Sequence, residues 1–399
     1  MAELSERLNR PISTSELERR WAAVRAAMEA EKIDVLLMQN NNDHMGGYVK
    51  YFTDMPAANG YPMTVVFPRD DGMSVVGQGP MGMVRDLPPE GDGIRRGVKT
   101  MMTTPSYASA HYTKDYDPEL AARALAPYAS GTIGLVGTYQ MSFAMVDHMK
   151  SGNFSNTKFV DATDMVDRIK VLKSPEELDR IRETAAMQDS AMEAAFAAVK
   201  PGMRDSDVAA VAQFYGQQHG SEQGIFLCAS APMGTPCMFG PRHVQDRIIE
   251  DGDQLTLLVE NNGAGGYFTE LGRTCVLGQA SQELKDEFEF TLEARKFTLD
   301  RLTPGTPAKD IWDAYNSFMD ENGRPQERRL YCHGQGYDMV ERPLVRHDEP
   351  MAIQANTNIV VHPTYILERV MSWICDNYII GEDGPGERLH SFPEKITEL

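Results

Sequence analysis

Two residues stand where a sheet protein commonly places reacting groups. Glu260 follows the apolar run Leu257, Leu258, Val259 and precedes Asn261 and Gly263, which puts a carboxylate at a strand end. His333 lies in HGQG, where the flanking glycines let a ligand approach the backbone closely. A carboxylate and an imidazole in one site can act as general base and acid, or as nucleophile and proton carrier. Arg342, in the ERP segment at 341–343, and Arg346 each offer a bidentate fork for a carboxylate, and each equally suits a surface ion pair. Taken alone, Glu270 reads as an outward position of an alternating strand, His243 as a loop histidine, and Trp373 as a core aromatic.

Such residues need elements to hold them. Leu257 belongs to a strand-like run over 255–259, and a second run over 267–277 follows it. Strands are expected again at 359–363 and 372–380, with helices over about 282–302 and from a cap at Thr306, Pro307. Upstream, Ser174, Pro175 and Glu177 supply cap, first-turn proline and third-position glutamate for a long helix ending near Lys200, Pro201, Gly202, and Asp205 can cap the next. Earlier still, Ser13 and Glu16 form a possible capping box before Leu17, Trp21, Val24 and Met28 at helical spacing, which feed the buried run Val35 to Met38. Short apolar runs at 64–67, 74–76 and 133–136 alternate with helical stretches such as 118–125, an α/β pattern. Two domains follow, 1–165 and 166–399, in keeping with a 399-residue chain, which is longer than a single core usually grows.

The formal charge of −19 argues against nucleic acid, whose phosphates call for clustered Lys and Arg. The polar start MAELSERLNRP has no signal-peptide core, and no run approaches the roughly 18 apolar residues of a membrane span, so a cytoplasmic protein without membrane contact is expected. Five cysteines, with no C-x-x-C pair, read as reduced thiols.

Five segments then line up in order: IKVLKSPEELDRI ending at Ile181, KPGMRDSDV at 200–208, GYFTELGRT at 266–274, HGQG at 333–336 and VVHPT at 360–364. Together they resemble the pita-bread hydrolases of the creatinase and aminopeptidase P type. The resemblance implies a creatinase-like N-terminal α/β domain, then a pita-bread domain whose antiparallel sheet is covered by helices, and a homodimer whose N-terminal domains close the partner's site. Metal-dependent members hold two ions with two aspartates, a histidine and two glutamates. At the matching positions this chain has Glu260, Glu270, His333, His362 and Cys375, the last beside Asp376, while Glu341 matches a family glutamate after the central histidine. Lengthening carboxylate arms by a methylene disturbs a site that tolerates about 0.2 Å of distance error, so neither metal nor other cofactor is expected. A single zinc-like ion on the mixed Glu, His, His and Cys set is the alternative.

Without ions the electrophile must come from the substrate, and a cationic amidine fits two glutamates that cannot both ionise in one cavity. Within the family the sequence is most similar to the ectoine hydrolase branch, which implies ring opening of ectoine to N-acetyl-diaminobutyrate. Glu260 would attack the amidinium carbon or activate water, His333 would move protons, and Glu270 would pair with ring N–H groups. Glu341, His362, Asp376, His243, Arg342 and Trp373 are the candidate substrate contacts. The alternatives are a metal-dependent peptidase or dipeptidase on proline peptides, a creatinase-type amidinohydrolase, or a binding module without chemistry.

Overall fold

The computed structural model describes residues 10–40, 47–55, 60–88 and 92–399, so the first nine positions of the polar start lie outside it. Two compact units emerge, Ile12–Lys170 and Val171–Leu399, the second also taking in Arg10 and Pro11. No helix of the described residues is long and apolar enough to cross a membrane.

In the first unit, strand Val35–Asn40 sits inside a seven-stranded mixed sheet, antiparallel to Met63–Pro68 and parallel to Thr132–Val136. Every residue of it is buried, which is why its apolar run does not alternate. Helix Thr14–Glu31 starts where Ser13 Oγ accepts the Glu16 N–H at 3.1 Å, a cap worth about 1 kcal/mol. The Glu16 carboxylate itself binds the side chains of Arg19 and Arg20. The helix buries Leu17, Trp21, Val24 and Met28.

The second unit repeats one arrangement. Helices Pro175–Ala198 and Asp205–Gln218 cover strands Gly224–Pro232, Asp253–Asn262 and Phe268–Val276. Helices Gln282–Leu299 and Ala308–Glu321 likewise cover Cys332–Gly334, Asn358–Val361 and Asp376–Gly381. Both strand triplets are antiparallel neighbours in chain order. Each fully buried Leu, Ile, Val or Phe in these two cores stabilises the fold by about 1.5–3 kcal/mol. Ser174 forms the expected capping box with Glu177, but two other caps differ from expectation. Arg204, not Asp205, is the cap of the second helix, and Asp207 accepts the Arg204 N–H. Pro307, not Thr306, precedes Ala308 as cap.

The expected strand over 372–380 is broken into Met371–Trp373 and Asp376–Gly381. At the break Cys375 exchanges backbone hydrogen bonds with Gly272, at 3.1 and 3.2 Å, joining the two sheets. Gly272 is required there, because an added Cβ would meet the Trp373 indole at 2.1 Å.

Candidate functional site

The junction of the two sheets is where the candidate side chains converge. Glu260 and Glu270 stand directly opposite one another on the paired strands Asp253–Asn262 and Phe268–Val276, and both are buried. Gln335 Nε2 donates to Glu260 Oε1 at 2.9 Å, and its own Oε1 accepts from Asn377 Nδ2 at 2.8 Å. Asn377 Oδ1 in turn accepts the Glu270 N–H at 2.7 Å, and its Nδ2 also reaches Asn358 Oδ1 at 3.0 Å. This chain of amides holds the Glu260 carboxyl and the Glu270 backbone. Burial raises Glu260 well above the usual carboxylate range, and the Glu270 charge beside it adds to the effect. Burial also pushes Glu270 up to about 7. The pair therefore holds a proton that two exposed glutamates would have lost.

His333 completes the corner. Its Nδ1 lies 2.9 Å from the Gly334 carbonyl oxygen, which can only accept, so the proton sits on Nδ1 and the Nε2 lone pair is free. Nε2 is 3.9 Å from Glu270 Oε2. His362 packs edge-on against His333 with ring centroids 5.4 Å apart. Burial lowers His333 to about 4 and holds His362 well below the ordinary imidazole range, so both imidazoles are neutral near pH 7.

Donor atoms of Glu270, His333 and His362 all lie within 4.8 Å of one another, the one such cluster among the described residues. The donors fit a single borderline ion: two neutral imidazoles and a carboxylate are a catalytic zinc set that leaves a position open. The Gly334 carbonyl behind His333 is the kind of outer contact that fixes a ligand's tautomer. Cys375 is not part of the cluster. Its thiol donates to the Glu270 backbone oxygen at 3.4 Å, and burial raises it well above the ordinary thiol range, so it offers no thiolate.

The profile described as metallopeptidase family M24 matches residues 179–382, the stretch that carries this corner. The chain belongs to that family. It is 27% identical to the Xaa-Pro dipeptidase of Pyrococcus furiosus over 63% of this chain and 72% of the relative. It is 28% identical to the hydrolase/peptidase y4tM of Sinorhizobium fredii over 82% of each chain. The structure of X-Pro aminopeptidase from Thermotoga maritima superposes with a TM-score of 0.77 at 17% identity, covering 95% of this chain and 99% of that one. The fold is accordingly a creatinase-like α/β domain followed by a pita-bread domain.

Other candidate residues of the M24 chain are placed apart from the cluster. Asp376 turns to Arg273 at 2.7 Å and Arg295 at 2.8 Å, fully buried. Glu341 is buried in a 2.7 Å ion pair with Lys173. Arg342 is held by Glu349 at 2.6 Å, and Arg346 by Asp348 at 2.9 Å. His243 is exposed on a short 3-10 turn. Tyr51 and Phe52 are interior to the first unit. Trp373 is buried with Leu258, Val360, Met371 and Cys375, and stacks edge-on with Phe239 at 4.9 Å.

Phe239 also lines a cavity of about 750 Å³ with Met371, Tyr365, Arg328 and Arg329. Thr364, also in its wall, donates its hydroxyl to the His362 carbonyl oxygen at 3.0 Å. The residues missed in the sequence are Gln335, Asn358 and Asn377. Their signal was available: each is an amide beside apolar or glycine residues, where a buried polar group must have partners.

Proposed function

We propose that the protein is an M24 hydrolase that cleaves an amide bond of a small substrate, using one borderline divalent ion such as zinc held by Glu270, His333 and His362. The observation that carries this reading is the approach of donor atoms of Glu270, His333 and His362 to within 4.8 Å of one another, with the His333 Nε2 lone pair facing a Glu270 oxygen across 3.9 Å. A bound ion supplies Lewis acidity, polarising a carbonyl and acidifying water. Positive charge at Glu270 relieves the conflict between the glutamates, and Glu260 can then ionise. Glu260, its carboxyl oriented by Gln335, takes the proton of the attacking water and returns it to the leaving nitrogen. The cavity beside His362 has room for the substrate's body. Kinship with an Xaa-Pro dipeptidase makes Xaa-Pro dipeptides the first substrates to test.

A second reading, metal-free opening of the ectoine ring, is favoured by one observation: buried glutamates that share a proton would gain from a cationic amidinium beside them. There Glu260 attacks the amidinium carbon, Glu270 binds ring N–H groups, and His333 moves protons. The low basicity of His333 weighs against this last role until substrate charge is present.

Protein dialysed against chelator and checked by elemental analysis separates the two. Xaa-Pro dipeptide turnover restored by zinc or manganese, together with loss of metal in His362→Ala, is expected. Undiminished ectoine turnover in metal-free protein would replace the first reading with the second. No turnover of either substrate with or without metal would sink both.

A further inference from the structure

The first unit contains a buried carboxylate that nothing in the catalytic corner uses. Asp117 lies in the first turn of helix Tyr116–Leu125, is 3% exposed, and lines a cavity of about 330 Å³. One of its oxygens, Oδ1, has no hydrogen-bond partner, and neither does Gln140 Oε1, which lines the same cavity. Gln39, also in the wall, is engaged elsewhere: its Nε2 donates to Thr64 Oγ1 at 3.1 Å and its Oε1 accepts the Ser142 N–H at 3.1 Å. Burial pushes Asp117 up to about 6, and the Ser106 hydroxyl is the group that opposes this. An unpaired buried carboxylate oxygen costs about 1–3 kcal/mol or more, so the cavity is organised for a donor that arrives with a ligand.

We propose that this cavity is a second binding site that takes a small free amino acid, its ammonium on Asp117 Oδ1 and Gln140 Oε1 and its carboxylate on Lys114. Both orphan atoms are acceptors, which selects an N–H donor, and a cation best complements the carboxylate. Lys114 and His111 line the same cavity at its exposed side and supply the complementary positive end. The volume is at the small end of ligand pockets, which suits one amino acid and not a peptide of several residues. The site belongs wholly to the first unit and does not depend on the reading of the catalytic corner.

Full-length protein titrated with L-alanine by isothermal calorimetry tests the assignment. Saturable binding is expected, weakened at least about tenfold by Asp117→Asn, the effect of losing one charge-assisted hydrogen bond. Lys114→Glu should weaken alanine while sparing methylammonium, and methylammonium and acetate should each bind wild type less tightly than alanine. Asp117→Asn keeps side-chain shape and removes a buried charge, and Lys114 is exposed, so both variants should fold. Glu260→Gln should bind alanine as wild type does. No saturable binding of alanine, binding that survives Asp117→Asn, or binding lost with Glu260→Gln would each overturn the proposal.

Discussion

Two sets of buried carboxylates lie on adjoining strands of the second unit and meet opposite fates. Asp376 is fully enclosed, with Arg273 at 2.7 Å, Arg295 at 2.8 Å and Arg388 at 3.4 Å around it. Arg273 is itself fully buried and spends its other N–H groups on the carbonyls of Gly272, Cys375, Phe392 and Pro393. Among the described residues, Glu260 and Glu270 face each other beside amides, the Cys375 thiol and the neutral imidazoles of His333 and His362. Carboxylates met by guanidinium groups become structural fasteners. Carboxylates met by each other keep protons and leave room for an added cation. The difference lies in the neighbours, not in the carboxyl group.

The largest effect should follow from breaking the fastener. Asp376→Asn leaves Arg273 and Arg295 buried without a counter-charge, and loss of one partner from a buried ion pair costs about 3–5 kcal/mol. Urea unfolding of the variant beside wild type measures it. A loss under about 1 kcal/mol, the range of exposed pairs, would mean that the cluster contributes little to holding the sheets together.

Glu260→Gln should behave in the reverse way. Turnover should fall by about 10²–10⁴-fold, the usual contribution of a positioned base, while stability to urea is kept or raised because one buried acid is gone. Equal destabilisation by Glu260→Gln and Asp376→Asn would erase the distinction between the two sets.

Much of this was legible in the residues, for reasons that also mark where legibility stops. The run Val35 to Met38 and the Ser174 capping box are local signals, so they were readable without tertiary information. Glu260, Glu270, His333 and His362 were assembled only through the family resemblance, since cross-strand register is not local. The break at Cys375 was invisible because it depends on Gly272, more than a hundred positions upstream, admitting the Trp373 indole. Asp376 and Glu341 inherit places near the site, yet their directions were set by arginines and a lysine that are distant in sequence. Cys375 lies at the strand break with its thiol on the Glu270 carbonyl oxygen, while Asp376 opens the next strand against Arg273, so adjacency in sequence did not mean a shared cavity.

The most direct reading of the glutamate pair is in the pH dependence of stability. An unfolded glutamate loses its proton near pH 4.3, whereas Glu270 in the folded chain holds it to about 7. Between those values the folded state binds more protons than the unfolded one, so stability contributed at low pH is lost as pH rises through 7. His333 runs the other way: lowered to about 4, it is neutral when folded where the unfolded imidazole is still charged, so its contribution rises with pH up to about 6.5. Wild type and Glu270→Gln share the histidine, so the difference between them reports the Glu260 and Glu270 pair. In chelator-treated protein, the stability of wild type relative to Glu270→Gln should decline from about pH 4.5 to 7 and level off above. A flat difference would mean that Glu270 ionises normally, and a rising one that a cationic partner holds it charged, as guanidinium groups surround Asp376.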